Sequence, residues 1–321
     1  MHYKIIFLII SSSNEEVYSQ MKELQPKIYN LYGDQVKYFF IENKSDIGAD
    51  VIEENNYLYI TGSESFVPGI YQKSIKAIEY VTNNYSFDYV IRTNLSTIWH
   101  MQNLFSLLDN SPKERFAGGY AFQGFISGTG IIMSRDVGIL VYSNPNSSYM
   151  GDDLAISQTI QSQGISLYDV QEYKWGFLIP RNDNLPGNCR YLDINENNFS
   201  DILNFRIKNA DRMNTDIHYF KMLINKLYGG QLSVDLPHLQ VPLIKPIEIQ
   251  PIEIQPIQIQ PIEIQPIEIQ PIQIQPIEIQ PIEIQSNIID TPNNNEPNLQ
   301  YILPPITITR IHPLLRKARR R

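Results

Sequence analysis

FDYVIRTNLSTIW, residues 87–99, reads as a buried strand that runs out into a polar loop. Tyr89, Val90 and Ile91 form a short apolar run between Asp88 and Arg92. Thr93, Asn94, Leu95 and Ser96 follow, mostly small or polar. In open α/β sheets, ligands sit where such strands end. The same residues also suit an ordinary strand exit, with Asn94 or Ser96 capping the next helix. Its neighbours in the chain therefore decide its meaning.

Those neighbours alternate between strand and helix patterns. Residues 5–10 are a continuous apolar, β-branched run, the mark of a strand covered on both faces. Ser13 or Asn14 can cap the helix that follows, in which Val17, Met21, Leu24, Ile28 and Leu31 make one stripe. Pro26 lies inside that stripe and predicts a kink or break near Gln25. A strand at 36–41 completes a right-handed βαβ unit. Residues 43–56 read as a polar, acidic connection, 57–60 as a short strand, and Pro68-Gly69 as a helix start. Beyond the quoted stretch come a short helix at 103–108 and a strand at 116–122. FISGTGIIM (125–133) is a glycine-punctuated segment running into an apolar strand. Helices are expected from Ser134 through Val141 and over 154–163, and a last strand over 165–170. A C-terminal helix carries Met213, Ile217, Phe220, Ile224 and Leu227, and Gly229-Gly230 stops it. The alternation predicts a mostly parallel sheet covered by helices, within a domain of residues 1–235.

Composition sets bounds on this picture. The chain has 321 residues, 42% of them hydrophobic, which allows one large cored domain plus an appendage. A net charge of -8 argues against a general nucleic-acid binder. The single cysteine, Cys189, excludes an intramolecular disulfide and a cysteine-cluster zinc site. No run approaches the ~20 apolar residues of a membrane span. The apolar run at 5–10 is too short for a signal-peptide core. A soluble, cytoplasmic protein is expected. P-loop, dinucleotide-fold, HExxH and GxSxG motifs are all missing.

Chemistry must then come from polar residues at strand ends and helix starts. Asp152-Asp153 precedes an apolar helix and can cap it. It can also offer a general base to a hydroxyl, and two carboxylates exceed what a cap requires. Arg206, Lys208 and Arg212 can hold a diphosphate, or form an exposed face with Arg212 and Asp216 paired at i, i+4. His218 lies well off the apolar stripe of its helix and is expected to face solvent rather than a metal.

Taken in order, these segments resemble the β-1,3-galactosyltransferase and Fringe-like glycosyltransferases, which have a GT-A fold. In that family a lysine-bearing helix precedes a strand ending in Lys-Thr and three aspartates. A glycine-rich strand follows, and then an acidic helix start. Lys73, Arg92-Thr93, Ser127-Gly128-Thr129-Gly130, Ser134 and Asp152-Asp153 fall on those positions, over roughly residues 57–165. The variant RTNLS is also similar to glycosyltransferase-like proteins of large DNA viruses. The resemblance implies an α/β, GT-A-like fold, a nucleotide-sugar donor, a glycan or protein acceptor, and transfer with inversion. Asp153 would be the base, with Asp152 as its understudy. Donor binding would fall to Lys73, Arg92, Thr93, Asn94, Ser96, Gly128, Arg206 and Lys208. One departure stands out. The family's aspartates hold a divalent metal such as Mn2+ or Mg2+, whereas here Asn94, Leu95 and Ser96 replace them. Hard cations prefer carboxylate oxygens. Three outcomes stay open: weak metal binding through Asn94 and Ser96, a metal-independent site built on cations such as Arg92, Arg206 and Lys208, or lost catalysis. A non-catalytic nucleotide-sugar binding module and a structural repeat protein are the competing readings.

Residues 246–285 are eight pentads, PIEIQ or PIQIQ. Proline every five residues forbids a helix. An odd period also moves the isoleucine pair from one face to the other in successive repeats, so no single apolar face builds up. Residues 236–285 are expected to be an extended linker, the forty pentad residues spanning at most roughly 120 Å at ~3.1 Å each. A bound or assembled strand is the alternative. Residues 286–321 read as an unstructured tail, polar and then basic through Arg319-Arg320-Arg321, able to meet an acidic partner.

Overall fold

Strand β1 (His2–Ile10) and strand β2 (Val36–Lys44) pair in parallel across helix α1 (Glu16–Asn30), the expected βαβ unit. The computed structural model describes residues 1–146, 150–170, 173–178, 189–191, 198–209 and 212–235. The chain divides into Met1–Glu248 and Ile249–Arg321, and every described residue belongs to the first unit. The linker at 236–285 and the tail at 286–321 lie outside the described residues.

Strands β3 (Val51–Glu54) and β4 (Tyr57–Thr61) form an edge hairpin, and α2 (Gly69–Asn84) leads into β5 (Ser86–Asn94). Then follow β6 (Thr97–Trp99), α3 (Met101–Asp109), β7 (Ala117–Gly119), β8 (Ala121–Phe122), β9 (Phe125–Ile126) and β10 (Gly130–Ser134). Helices α4 (Arg135–Ser143) and α5 (Asp152–Ser162) precede β11 (Leu167–Asp169). The last elements are β12 (Lys174–Leu178), β13 (Cys189–Tyr191), β14 (Ile202–Ile207), a π-helical turn (Arg212–Asp216) and α6 (Ile217–Tyr228).

Eight strands form the main sheet in the order β11-β7-β10-β5-β1-β2-β4-β3. Six run one way; β10 and β3 run against them. This is the mostly parallel, helix-covered α/β sheet that the sequence predicts. Strand residues alternate between two cores, as the pleat requires. In β1, Ile5, Phe7 and Ile9 join the cluster with α1, α3 and α6, whereas Ile6 and Leu8 join the one with α2, α4 and α5. Both faces are therefore buried, which is why these strands read as unbroken apolar runs. Among the described residues no helix is long and apolar enough to cross a membrane.

Four expectations need correction. Helix α1 runs unbroken through Pro26 to Asn30. Met21, Leu24, Gln25, Ile28 and Tyr29 are all buried there, and that packing outweighs the ~3 kcal/mol penalty of an internal proline. Neither Ser13 nor Asn14 caps α1; its first turn has no side-chain cap, and Ser13 Oγ donates to Glu42 instead (3.0 Å). The acidic connection at 43–56 contains the end of β2 and the edge strand β3. Finally, a second sheet, β13-β12-β14-β6, is built largely from residues 174–207, where no strand is expected from the sequence.

Candidate functional site

Strand order reverses beside β1, with β2 on one flank and β5 on the other. Ligands in α/β sheets bind outside the carboxyl ends of the strands at such a reversal. There the structure has a cleft of about 620 Å³, lined at its floor by Ile10 and Ser11 after β1 and by Arg92 and Asn94 at the end of β5. That size suits a small molecule.

Arg92 and Asn94 reach the cleft because they share one face of β5, two residues apart. Thr93, between them, points the other way. It is fully buried, donates to the Thr129 carbonyl (2.7 Å) and accepts from Trp99 Nε1 (3.2 Å). Thr93 is thus a core residue outside the cleft. The Arg92 guanidinium is 3% exposed and sits 2.6 Å from Asp152 Oδ2. Its NH1 donates to the Gly128 carbonyl and to Asn94 Oδ1 (3.3 Å). Asn94 Nδ2 donates to the same Gly128 carbonyl (2.7 Å). Gly128 leaves room for these groups: an added Cβ would lie 2.9 Å from Arg92 NH1 and 3.2 Å from Asp153 Oδ2, so those side chains would have to shift.

The acidic pair opens α5, as the sequence suggests. Asp152 is 7% exposed and locked onto Arg92. Burial pushes its carboxyl above the usual carboxylate range; Arg92 opposes the shift and Asp153 adds to it. Asp153 is half-buried and faces the cleft. Its Oδ2 accepts from Gly128 N (3.1 Å), and its Oδ1 accepts from Leu154 N (2.9 Å).

Lys73 lines the cleft from α2, but its ammonium is already committed. It reaches Glu64 Oε2 (2.7 Å), Glu64 Oε1 (2.8 Å) and the Ser11 carbonyl (2.8 Å) at 1% exposure. Burial pulls its pKa below the usual lysine value, against the pull of Glu64. Its placement ties the end of β1 to the loop before α2. Ser96 lies in the turn between β5 and β6, and its carbonyl accepts from Ile207 N (3.0 Å). Arg206 enters from β14, which is antiparallel to β6. Its NH1 is buried without a hydrogen-bond partner among the described residues. Burial, with the neighbouring cations Arg92 and Arg212, brings its pKa down to about 10. Lys208 is exposed and does not line the cleft. Arg212 and Asp216 pair at 3.2 Å, as the i, i+4 spacing predicts. His218 is half-buried rather than solvent-facing, and burial lowers its pKa.

Eight of the ten candidate residues therefore share one cleft; Thr93 and Lys208 do not. Glu15, Tyr18, Glu64 and Phe66 also line it and were not anticipated. Phe66 is 76% exposed at its rim. The available signal was positional, since the loops leaving β1 and β4 must border any ligand at this end of the sheet.

A metal at the strand end fits poorly. Among the described residues no group of three or more His, Cys, Asp or Glu converges to hold one. Asn94 offers a neutral oxygen that already faces the Arg92 cation, and Ser96 is 5% exposed in its turn.

The fold and the cleft define an α/β protein with a cleft lined by charged residues at the carboxyl end of its parallel strands. By sequence, no family model and no curated protein matches the chain. By backbone it is similar to a glycosyltransferase involved in the glycosylation of the major capsid of PBCV-1. The two are 12% identical with a TM-score of 0.43, over 67% of this chain and 98% of that one. It is also similar to the galactosyltransferase LgtC, solved in complex with donor and acceptor sugar analogs. Here identity is 10% and the TM-score 0.36, over 73% of this chain and 98% of that one.

Proposed function

We propose that the chain is a glycosyltransferase that moves a sugar from a nucleotide-sugar donor to a hydroxyl of a glycan or protein acceptor, with inversion. The observation that carries this reading is convergence. Lys73, Arg92, Asn94, Ser96, Gly128, Asp152 and Asp153 are scattered over some eighty residues of sequence yet line one cleft. They are also the residues picked out by the resemblance to the β-1,3-galactosyltransferase and Fringe-like enzymes.

In this reading the acceptor oxygen attacks the anomeric carbon while the bond from that carbon to the diphosphate oxygen breaks. The acceptor proton passes to Asp153, and the nucleoside diphosphate leaves with the bonding electrons. Two roles divide the acidic pair. Asp152 neutralises Arg92 and fixes the start of α5, whereas Asp153 presents its carboxylate to the cleft as general base. Cations preorganised around the leaving group stabilise its growing charge without having to rearrange. No step passes through a metal, because the donor set at Asn94 and Ser96 does not suit one.

The test is turnover of a panel of nucleotide sugars followed by mass spectrometry of products. Asp153→Asn keeps the side chain's shape, and transfer should fall by about 10²–10⁴-fold, the usual loss of a general base, while donor binding persists. Unchanged turnover in that variant would remove Asp153 from the mechanism. Tight donor binding with no turnover in the native chain would favour a binding module instead. That second reading draws on one observation, the hydrogen bonds that occupy both oxygens of Asp153.

A further inference from the structure

We propose that Arg206 seats the diphosphate of the ligand directly and does so without a divalent metal. This rests on the reading that the cleft takes a nucleotide sugar.

The charges around the cleft are not equally available. Arg92 is cancelled by Asp152 at 2.6 Å. Arg212 is matched by Glu15 (2.5 Å) and Asp216 (3.2 Å). Lys73 is matched by Glu64. Arg206 is the exception: among the described residues its guanidinium forms no ion pair, and its NH1 is buried with no partner. A buried donor left without a partner is destabilising. Such groups are concentrated where a ligand supplies the missing charge.

The backbone holds Arg206 for that purpose. Its neighbours on β14, Phe205 and Ile207, are fully buried. Arg206 pairs in register with Thr97 of β6, just past the polar turn that ends β5. The guanidinium is thus fixed to the same strand end where a metal would otherwise stand. Its planar fork suits two phosphate oxygens at once. Asn94, Leu95 and Ser96 supply no carboxylate at the end of β5, and Arg206 supplies the cation there instead.

The experiment uses the full chain and inorganic pyrophosphate, by calorimetry in EDTA and again with Mn2+, beside thermal melts. Pyrophosphate is expected to bind in EDTA. Arg206→Met is expected to weaken that binding at least tenfold while raising the melting temperature, because it removes a donor that is buried without a partner. A merely structural Arg206 would lower the melting temperature instead, and that result overturns the proposal. So does binding that appears only with Mn2+ and disappears in Asn94→Ala, or binding unaffected by Arg206→Met. Metal-free pyrophosphate binding without sugar transfer would leave this inference standing and defeat the glycosyltransferase reading. Transfer that strictly requires Mn2+ would do the reverse.

Discussion

Gly128 is the point at which three functional side chains meet. Its carbonyl accepts from Arg92 and Asn94, and its N–H donates to Asp153. A methyl group there would press on Arg92 NH1 and Asp153 Oδ2, both held in place by other bonds. Gly128→Ala should destabilise the fold by roughly 1–3 kcal/mol, as overpacking does, and depress turnover further by displacing the acid and the arginine together. A urea titration and initial rates on the same preparation would check both; a variant with native stability and rate would show that the crowding relaxes freely. Adjacent residues at the strand end are not equivalent either. Arg92, Thr93 and Asn94 are contiguous in the resemblance, but the pleat sends Arg92 and Asn94 into the cleft and Thr93 into the core. Period-two alternation was available in the sequence and separates them.

At the scale of elements, the local patterns were legible and the remote pairings were not. Strands β1, β2, β4 and β5 and helices α2 and α6 follow from apolar runs and stripes, since those signals reside in the segment itself. The sheet β13-β12-β14-β6 depends on pairing Ile202–Ile207 with a three-residue strand about a hundred positions earlier. No local period encodes that contact, and it is the contact that brings Arg206 to the cleft. A second hidden element lies under β1. Glu42 on β2 accepts from Lys22 (2.8 Å), Ser11 (2.6 Å) and Ser13 (3.0 Å), joining α1 to the segment that leaves β1. Burial works against its charge, yet the hydrogen bonds from Lys22, Ser11 and Ser13 hold its carboxyl below the ordinary value of 4.5. The unfolded chain therefore takes up this proton at a higher pH than the folded one. The stabilisation is complete above about pH 4.5 and is lost as the pH falls through the folded value. Glu42→Gln should cost about 1–3 kcal/mol near neutrality, and the gap from the native chain should close below pH 4.5. Chemical denaturation at pH 7 and at pH 3.5 would reveal it; a gap that widens on acidification would refute the assignment.

For the whole molecule, the question is how much chain the α/β unit needs. Every buried hydrophobic residue among those described lies between Ile5 and Val234. The sheet takes its edge strands from β11 and β3, both well before the pentads, and the cleft is lined by residues from Ile10 to Arg206. In the sequence, a five-residue repeat with proline cannot extend the helices or build an apolar strand face. A chain ending at Glu248 should therefore unfold in one cooperative transition at the denaturant midpoint of the full chain. It should also keep the pyrophosphate affinity proposed for Arg206. The denaturant slope reports surface exposed on unfolding, so it should change little if the pentads add no buried surface to the unit. A lower midpoint with a smaller slope would mean that the repeat contributes a strand to the fold. A native midpoint with lost acceptor transfer would mean that the repeat and basic tail deliver the acceptor to a cleft that is already complete.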